Sequence, residues 1–134
     1  RNLKELPREF TFGRFGALEE IVGDNITGHH MPSDDYMEKF HNIFTQDSFA
    51  LNLEHPNPGC GGRHRRTFSY GKKNERVKEC YFSLNPRDML AFDLFDAKRI
   101  LMEDGLWNSS TREIFSDYIE TYEETYPYIF KKRR

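Results

Sequence analysis

Cysteine is scarce: Cys60 and Cys80 are the two in 134 residues, and neither has a partner at C-x2-C spacing. That excludes a zinc ribbon and a disulfide framework, so any metal must be held by imidazole, amide or carboxylate groups. Long apolar runs are missing too. No stretch approaches the ~20 residues of a membrane span, and no signal-peptide pattern is present. The apolar share of 37% is low and the charged share of 31% high, but aromatics at 15%, with twelve Phe and seven Tyr, supply core material and argue against disorder. The length fits one domain, 1–134, able to bury roughly two-thirds of its unfolded surface. Because the chain begins with Arg1, the expectation is a domain from the C-terminal part of a longer polypeptide, with any delivery signal outside this window.

An excess of either charge is also lacking, at net −2, yet the charges are segregated. Between positions 63 and 79 stand Arg63, Arg65, Arg66, Lys72, Lys73, Arg76 and Lys78 against Glu75 and Glu79. From Arg87 to Tyr126, ten acids face four bases. A basic strip on a near-neutral domain fits a protein that grips a polyanion at one place, or simply two solvated faces. The closing basic run 131–134 reads as a solvated end.

The first dozen residues predict an irregular lead-in. A short helix is expected around 17–22, closed by Gly23. Ile26 and Thr27 lead a short strand through Gly28, His29 and His30, and Pro32 stops it because proline donates nothing to a ladder. Ser33 caps a helix with Asp34 and Asp35 in its first turn and Tyr36, Met37 and Phe40 as its stripe; His41 is then a helix residue. Alternation over 49–53 predicts a second strand with Asn52 pointing away from the core. Turn chemistry runs from His55 to Gly62 and leads to a short helix or tight turn at 63–70, with Gly61 and Gly62 permitting close backbone approach. Two helices follow. Asn85 and Pro86 open the first, Leu90, Leu94, Ala97 and Leu101 stripe it, and Gly105 ends it. A capping box at 110–113 opens the second, striped by Ile114, Phe115, Tyr118, Ile119, Tyr122 and Tyr126 and closed by Pro127.

Chemistry concentrates between positions 29 and 66. Paired imidazoles at a strand tip can divide two tasks, one binding a metal and one taking a proton from water near neutral pH. Phosphodiester hydrolysis needs an activated water, a cation facing the developing charge and donors that hold the backbone. The planar forks of Arg63, Arg65 and Arg66 suit bidentate phosphate contacts. His55 competes for a metal-ligand role.

Several segments carry a family resemblance: Gly28 through Asp34, Asn52 through Pro56, Gly61 through Gly71 and Leu84 through Asp88. Through them the chain resembles the HNH/endonuclease VII superfamily of His-Me finger nucleases, closest to the paired-histidine branch of bacterial polymorphic toxins. The resemblance implies an α+β domain with a small ββα-metal core and added C-terminal helices. It implies His30 as general base oriented by Asn52, His29 and His64 as metal ligands, and a divalent ion, Mg2+ first, with Mn2+, Ni2+ or Zn2+ as alternatives. It further implies DNA cleavage with little sequence specificity, delivery into a target cell's cytoplasm as an interbacterial toxin, and a cognate immunity protein. The four zinc-ribbon cysteines of other HNH proteins are lacking, and so is a second His four residues after His64. Two rivals stay open: an RNase on the same scaffold, and a non-catalytic nucleic-acid or protein-binding module with structural histidines.

Overall fold

Three short strands and five helices form an α+β arrangement in the computed structural model, which describes residues 2–71 and 73–130. Lys72 of the basic strip and the run 131–134 lie outside the described residues. β1 (Phe12–Arg14), β2 (Ile26–His30) and β3 (Phe49–Glu54) make an antiparallel sheet in the order β1-β3-β2. β3 is central and buried along its whole length. Phe49, Leu51 and Leu53 face the core as alternation requires. Asn52 lies on the other face yet is also buried; the lead-in extends the β1 pairing along its backbone, with Phe10 N donating to Asn52 O and Asn52 N to Thr11 O, each at 2.8 Å, and its side-chain amide meets Arg8 O.

The helices are α1 (Asp34–His41), α2 (Glu75–Phe82), α3 (Pro86–Glu103), α4 (Ser109–Thr125) and α5 (Pro127–Phe130). Ser33 caps α1 by accepting Tyr36 N, and Asn85 caps α3 with Pro86 in its first turn, as the sequence predicts. α4 starts earlier than predicted. Asn108 accepts Thr111 N at 3.1 Å while Thr111 Oγ1 accepts Asn108 N at 2.8 Å, so the capping box sits two residues upstream of 110–113. Pro127 opens α5 as well as ending α4, a position where its missing N–H costs nothing. The helix expected at 17–22 does not form. A single 3-10 turn, Phe15–Ala17, stands before it; Arg8 Nη2 donates to Glu19 O at 2.6 Å while its Nη1 pairs with Asp24 at 2.9 Å, fixing the loop irregularly.

Two tyrosines of α4 tie the sheet to the helical layer. Tyr118 donates its hydroxyl to Met31 O at 2.6 Å and accepts Met31 N at 3.3 Å, gripping the residue that follows the paired histidines. Tyr122 accepts Phe49 N at 2.8 Å at the start of β3. The histidine-bearing end of β2 is thereby pinned from a helix 87 positions away.

Between α2 and α3, Tyr81 donates to Asp93 Oδ2 at 2.6 Å, both side chains buried. Burial, with Asp96 adding to it, pushes the Asp93 carboxyl up to about 8 against the opposing Tyr81 bond. Between the ordinary carboxylate value and that pH, the folded chain keeps a proton that the unfolded chain has lost. Stability therefore falls as pH rises through the window, by at most about 1.4 kcal/mol per pH unit. Asp93→Asn retains an oxygen acceptor for Tyr81 and does not titrate. Urea midpoints taken near pH 5 and pH 8 should show the wild type losing ground to the variant; parallel pH profiles would refute the assignment.

Candidate active site

Cross-strand pairing decides where each histidine goes. His29 pairs with Leu51 and shares its core-facing side, while His30 pairs with Ala50 and Gly28 with Asn52 on the opposite side. Gly28 is required small: a Cβ there would meet the Phe15 ring at 3.1 Å and Ala50 Cβ at 3.3 Å. Phe15 lies over Gly28 and against His30, ring centroids 4.6 Å apart.

His29 is 4% exposed and meets His64, ring centroids 5.3 Å apart and edge to face. His64 is carried on the 3-10 turn His64–Arg66, which closes through Thr67 N and Thr67 Oγ1 to His64 O, the latter at 2.7 Å. The chain reaches that turn through Gly62, which has φ +93°. A Cβ there would lie 2.9 Å from Glu54 O, so the predicted close approach is to a neighbouring strand end. His64 Nδ1 lies 2.9 Å from His55 Nδ1, and the Tyr70 ring covers both. One of these two nitrogens carries the hydrogen and the other the lone pair.

All of these imidazoles are held neutral. Burial first, then the neighbouring His64 and His30, lowers His29 to about 3. Burial, then His55, Arg65 and His30, lowers His64 to about 4. His55 is lowered by burial and by Arg65. His30 is lowered by burial, opposed by its bond to Thr45 and by the charge of Asp34. Neutral imidazole is the form that ligates a metal or accepts a proton.

His30 Nε2 lies 3.3 Å from the carbonyl oxygen of Thr45. A carbonyl only accepts, so Nε2 carries the hydrogen and the lone pair resides on Nδ1. His29, His30 and His64 line one open depression of about 220 Å³, with Gly28, Ser33 and Asp34.

Two expectations are corrected here. Asn52 does not hold the His30 imidazole. Its Nδ2 donates to Arg8 O at 3.4 Å, and it lines a separate depression of about 410 Å³ with His55. In such a ladder it is a diagonal neighbour of His30, roughly 7–8 Å away. The group that fixes the ring is Thr45, in a loop without any motif, which sequence reasoning missed.

Arg63 is not a phosphate clamp. Its side chain is 0% exposed, enclosed by Glu9 and Asp104 with Glu54 nearby. Arg66 is paired with Glu103 at 2.6 Å and Asp104 at 2.7 Å. Arg65, half-buried at the site's rim, braces the preceding turn through Gly61 O at 2.9 Å and Pro56 O at 2.8 Å and contacts His55.

Among the described residues no three His, Cys, Asp or Glu side chains form a ready metal cage. The donor chemistry of His29 and His64 nonetheless fits a cation: two neighbouring imidazoles held neutral by burial, one of them hydrogen-bonded through Nδ1 to His55 and so left with Nε2 for a ligand. Such outer partners orient ligating histidines. Also among the described residues, no helix is long and apolar enough to cross a membrane. No family model, curated protein or solved structure matches the chain, so the site is read from its own residues.

Proposed function

We propose that this domain is a divalent-metal-dependent endonuclease of the His-Me finger type. β2, β3 and the His64 turn form its ββα-metal-like unit, with the single 3-10 turn standing where a longer helix is expected. The observation that carries this reading is the division of labour at the strand tip. His29 and His64 lie with ring centroids 5.3 Å apart, while His30, the next residue, lines the same depression with Nε2 engaged by Thr45 O, which leaves the lone pair on Nδ1.

In the mechanism, His29 and His64 would hold the cation, and His55 orients His64. A divalent cation bound there supplies positive charge to the phosphorane and the leaving oxygen. His30 Nδ1 takes a proton from the attacking water, and Thr45 keeps the imidazole in the accepting tautomer. Arg65, beside His55, is the one of the three arginines not paired with acids among the described residues and is the remaining candidate for a flanking phosphate. Backbone contacts of that kind carry little sequence information, so cleavage is weakly sequence-selective. Imidazole donors suit Ni2+ or Zn2+ better than Mg2+, which prefers oxygen. The role as a delivered interbacterial toxin with an immunity partner belongs to the same proposal and rests on the resemblance in the sequence.

Incubation of the purified domain with supercoiled plasmid and with total RNA tests this. Each arm is run with chelator and then with Mg2+, Mn2+, Ni2+ or Zn2+ restored. The expected outcome is nicking and linearisation of plasmid that stops with chelator and returns with metal. Degradation of RNA alone, unaffected by chelator, would overturn both substrate and mechanism.

A further inference from the structure

Asp34 and Asp35 both occupy the first turn of α1, where an acid favours the helix dipole. Asp35 is exposed, as that role allows. Asp34 is placed differently. Its Oδ2 accepts the Thr45 hydroxyl at 2.9 Å, and Thr45 O in turn accepts His30 Nε2 at 3.3 Å and Ser48 Oγ at 3.3 Å. Its other oxygen, Oδ1, is enclosed and has no hydrogen-bond partner among the described residues. A buried acceptor left unpaired is costly, and a folded chain that keeps one calls for an explanation. Asp34 lines the same depression as His29, His30 and His64.

We propose that Asp34 is the positioning residue of the candidate base: it clamps the Thr45 hydroxyl so that the Thr45 carbonyl fixes the His30 ring. This rests on the nuclease reading of His30. In the step it serves, water loses one proton to His30 Nδ1 and its oxygen forms the new P–O bond as the bond to the leaving oxygen breaks. Nε2–H already lies on Thr45, so the ring becomes an imidazolium without turning. The leaving oxygen takes a proton from solvent, and the imidazolium gives its own proton back to solvent after product leaves. No electron is gained or lost by any group.

The test compares wild type, Asp34→Asn, Thr45→Val and Thr45→Ser in the whole domain, with thermal midpoints to confirm folding. Asp34→Asn is nearly isosteric and replaces the carboxylate acceptor of the Thr45 hydroxyl with the weaker amide oxygen, loosening the clamp. The expected result for plasmid nicking is a kcat lowered about tenfold or more in Asp34→Asn and Thr45→Val, with KM within about twofold. Thr45→Ser, which keeps the hydroxyl, should recover most of the rate. Wild-type kcat in Asp34→Asn, a change confined to KM, or Thr45→Ser as poor as Thr45→Val overturns the proposal. An inert wild-type protein overturns the nuclease reading instead, and imidazole nitrogen NMR then decides the positioning. Support is an Nε2–H tautomer at His30 that becomes mixed in Asp34→Asn and Thr45→Val; a tautomer population unchanged by either variant refutes it.

Discussion

His30→Ala should remove cleavage while leaving the domain folded. His30 is half-buried, its ring's hydrogen bond among the described residues is the 3.3 Å contact to Thr45 O, and the end of β2 is held independently by Tyr118 on Met31. Deleting a general base lowers rates by about 10²–10⁴-fold. The effect should fall on kcat, because the base engages the attacking water and contributes little to binding polynucleotide. His29→Ala and His64→Ala should also abolish cleavage, by a different route. Titration calorimetry with Ni2+ or Zn2+ should show binding lost in both and retained in His30→Ala. That cross-pattern separates base from ligands, and a merely structural role for the pair would not produce it. Cleavage in His30→Ala within tenfold of wild type would remove His30 from the mechanism, and metal binding that survives in both ligand variants would remove the centre. In cells, the same substitution should abolish growth inhibition by the expressed domain.

Local signals carried much of this architecture. The β2 and β3 segments, the Ser33 and Asn85 caps and the apolar stripes of α3 and α4 follow from side-chain period and capping chemistry, both of which act within a few residues. The convergence of His29 and His64, 35 positions apart in the sequence, was suggested by family pattern and is a matter of tertiary geometry. What the sequence concealed depends on contacts between distant segments. β1 is a short strand whose pairing comes from β3, and α2 is a polar eight-residue helix capped by Asn74, without a marked apolar stripe. Thr45 serves through its backbone carbonyl, which residue identity does not announce. Asp34 has a sufficient local explanation as a first-turn acid, and that explanation hid its long-range bond. The arginine-rich turn shows the same limit. Composition marks Arg63, Arg65 and Arg66 as one cationic group, but only the fold reveals that acids from the lead-in, β3 and the end of α3 surround the first of them.

Arg63→Ala should accordingly be a stability variant, with a destabilisation of about 3–5 kcal/mol. All five guanidinium N–H groups are used. Nε donates to Glu9 Oε2 at 2.7 Å, Nη1 to Asn2 O at 2.8 Å and Asp104 Oδ2 at 3.1 Å, and Nη2 to Lys4 O at 2.9 Å and Glu9 Oε1 at 2.6 Å. Removing this group leaves Glu9 buried with a charge it no longer shares and deprives the lead-in of its anchor, since Asn2 and Lys4 are held through their carbonyls. In a domain of this size the loss corresponds to a melting temperature lower by roughly 10–15 °C. Lysine cannot replace the fork, having three donors on a single nitrogen, so Arg63→Lys should recover only a minority of the loss. A phosphate clamp makes the opposite prediction: an unchanged melting temperature and weaker polynucleotide binding that salt diminishes further. Thermal denaturation beside a filter-binding measurement distinguishes the two. An Arg63→Ala protein as stable as wild type would overturn the assignment. Because Arg63 immediately precedes His64, the same substitution should also loosen the ligand-bearing turn. Cleavage measured well below the lowered melting temperature should therefore require a higher metal concentration for half-maximal rate.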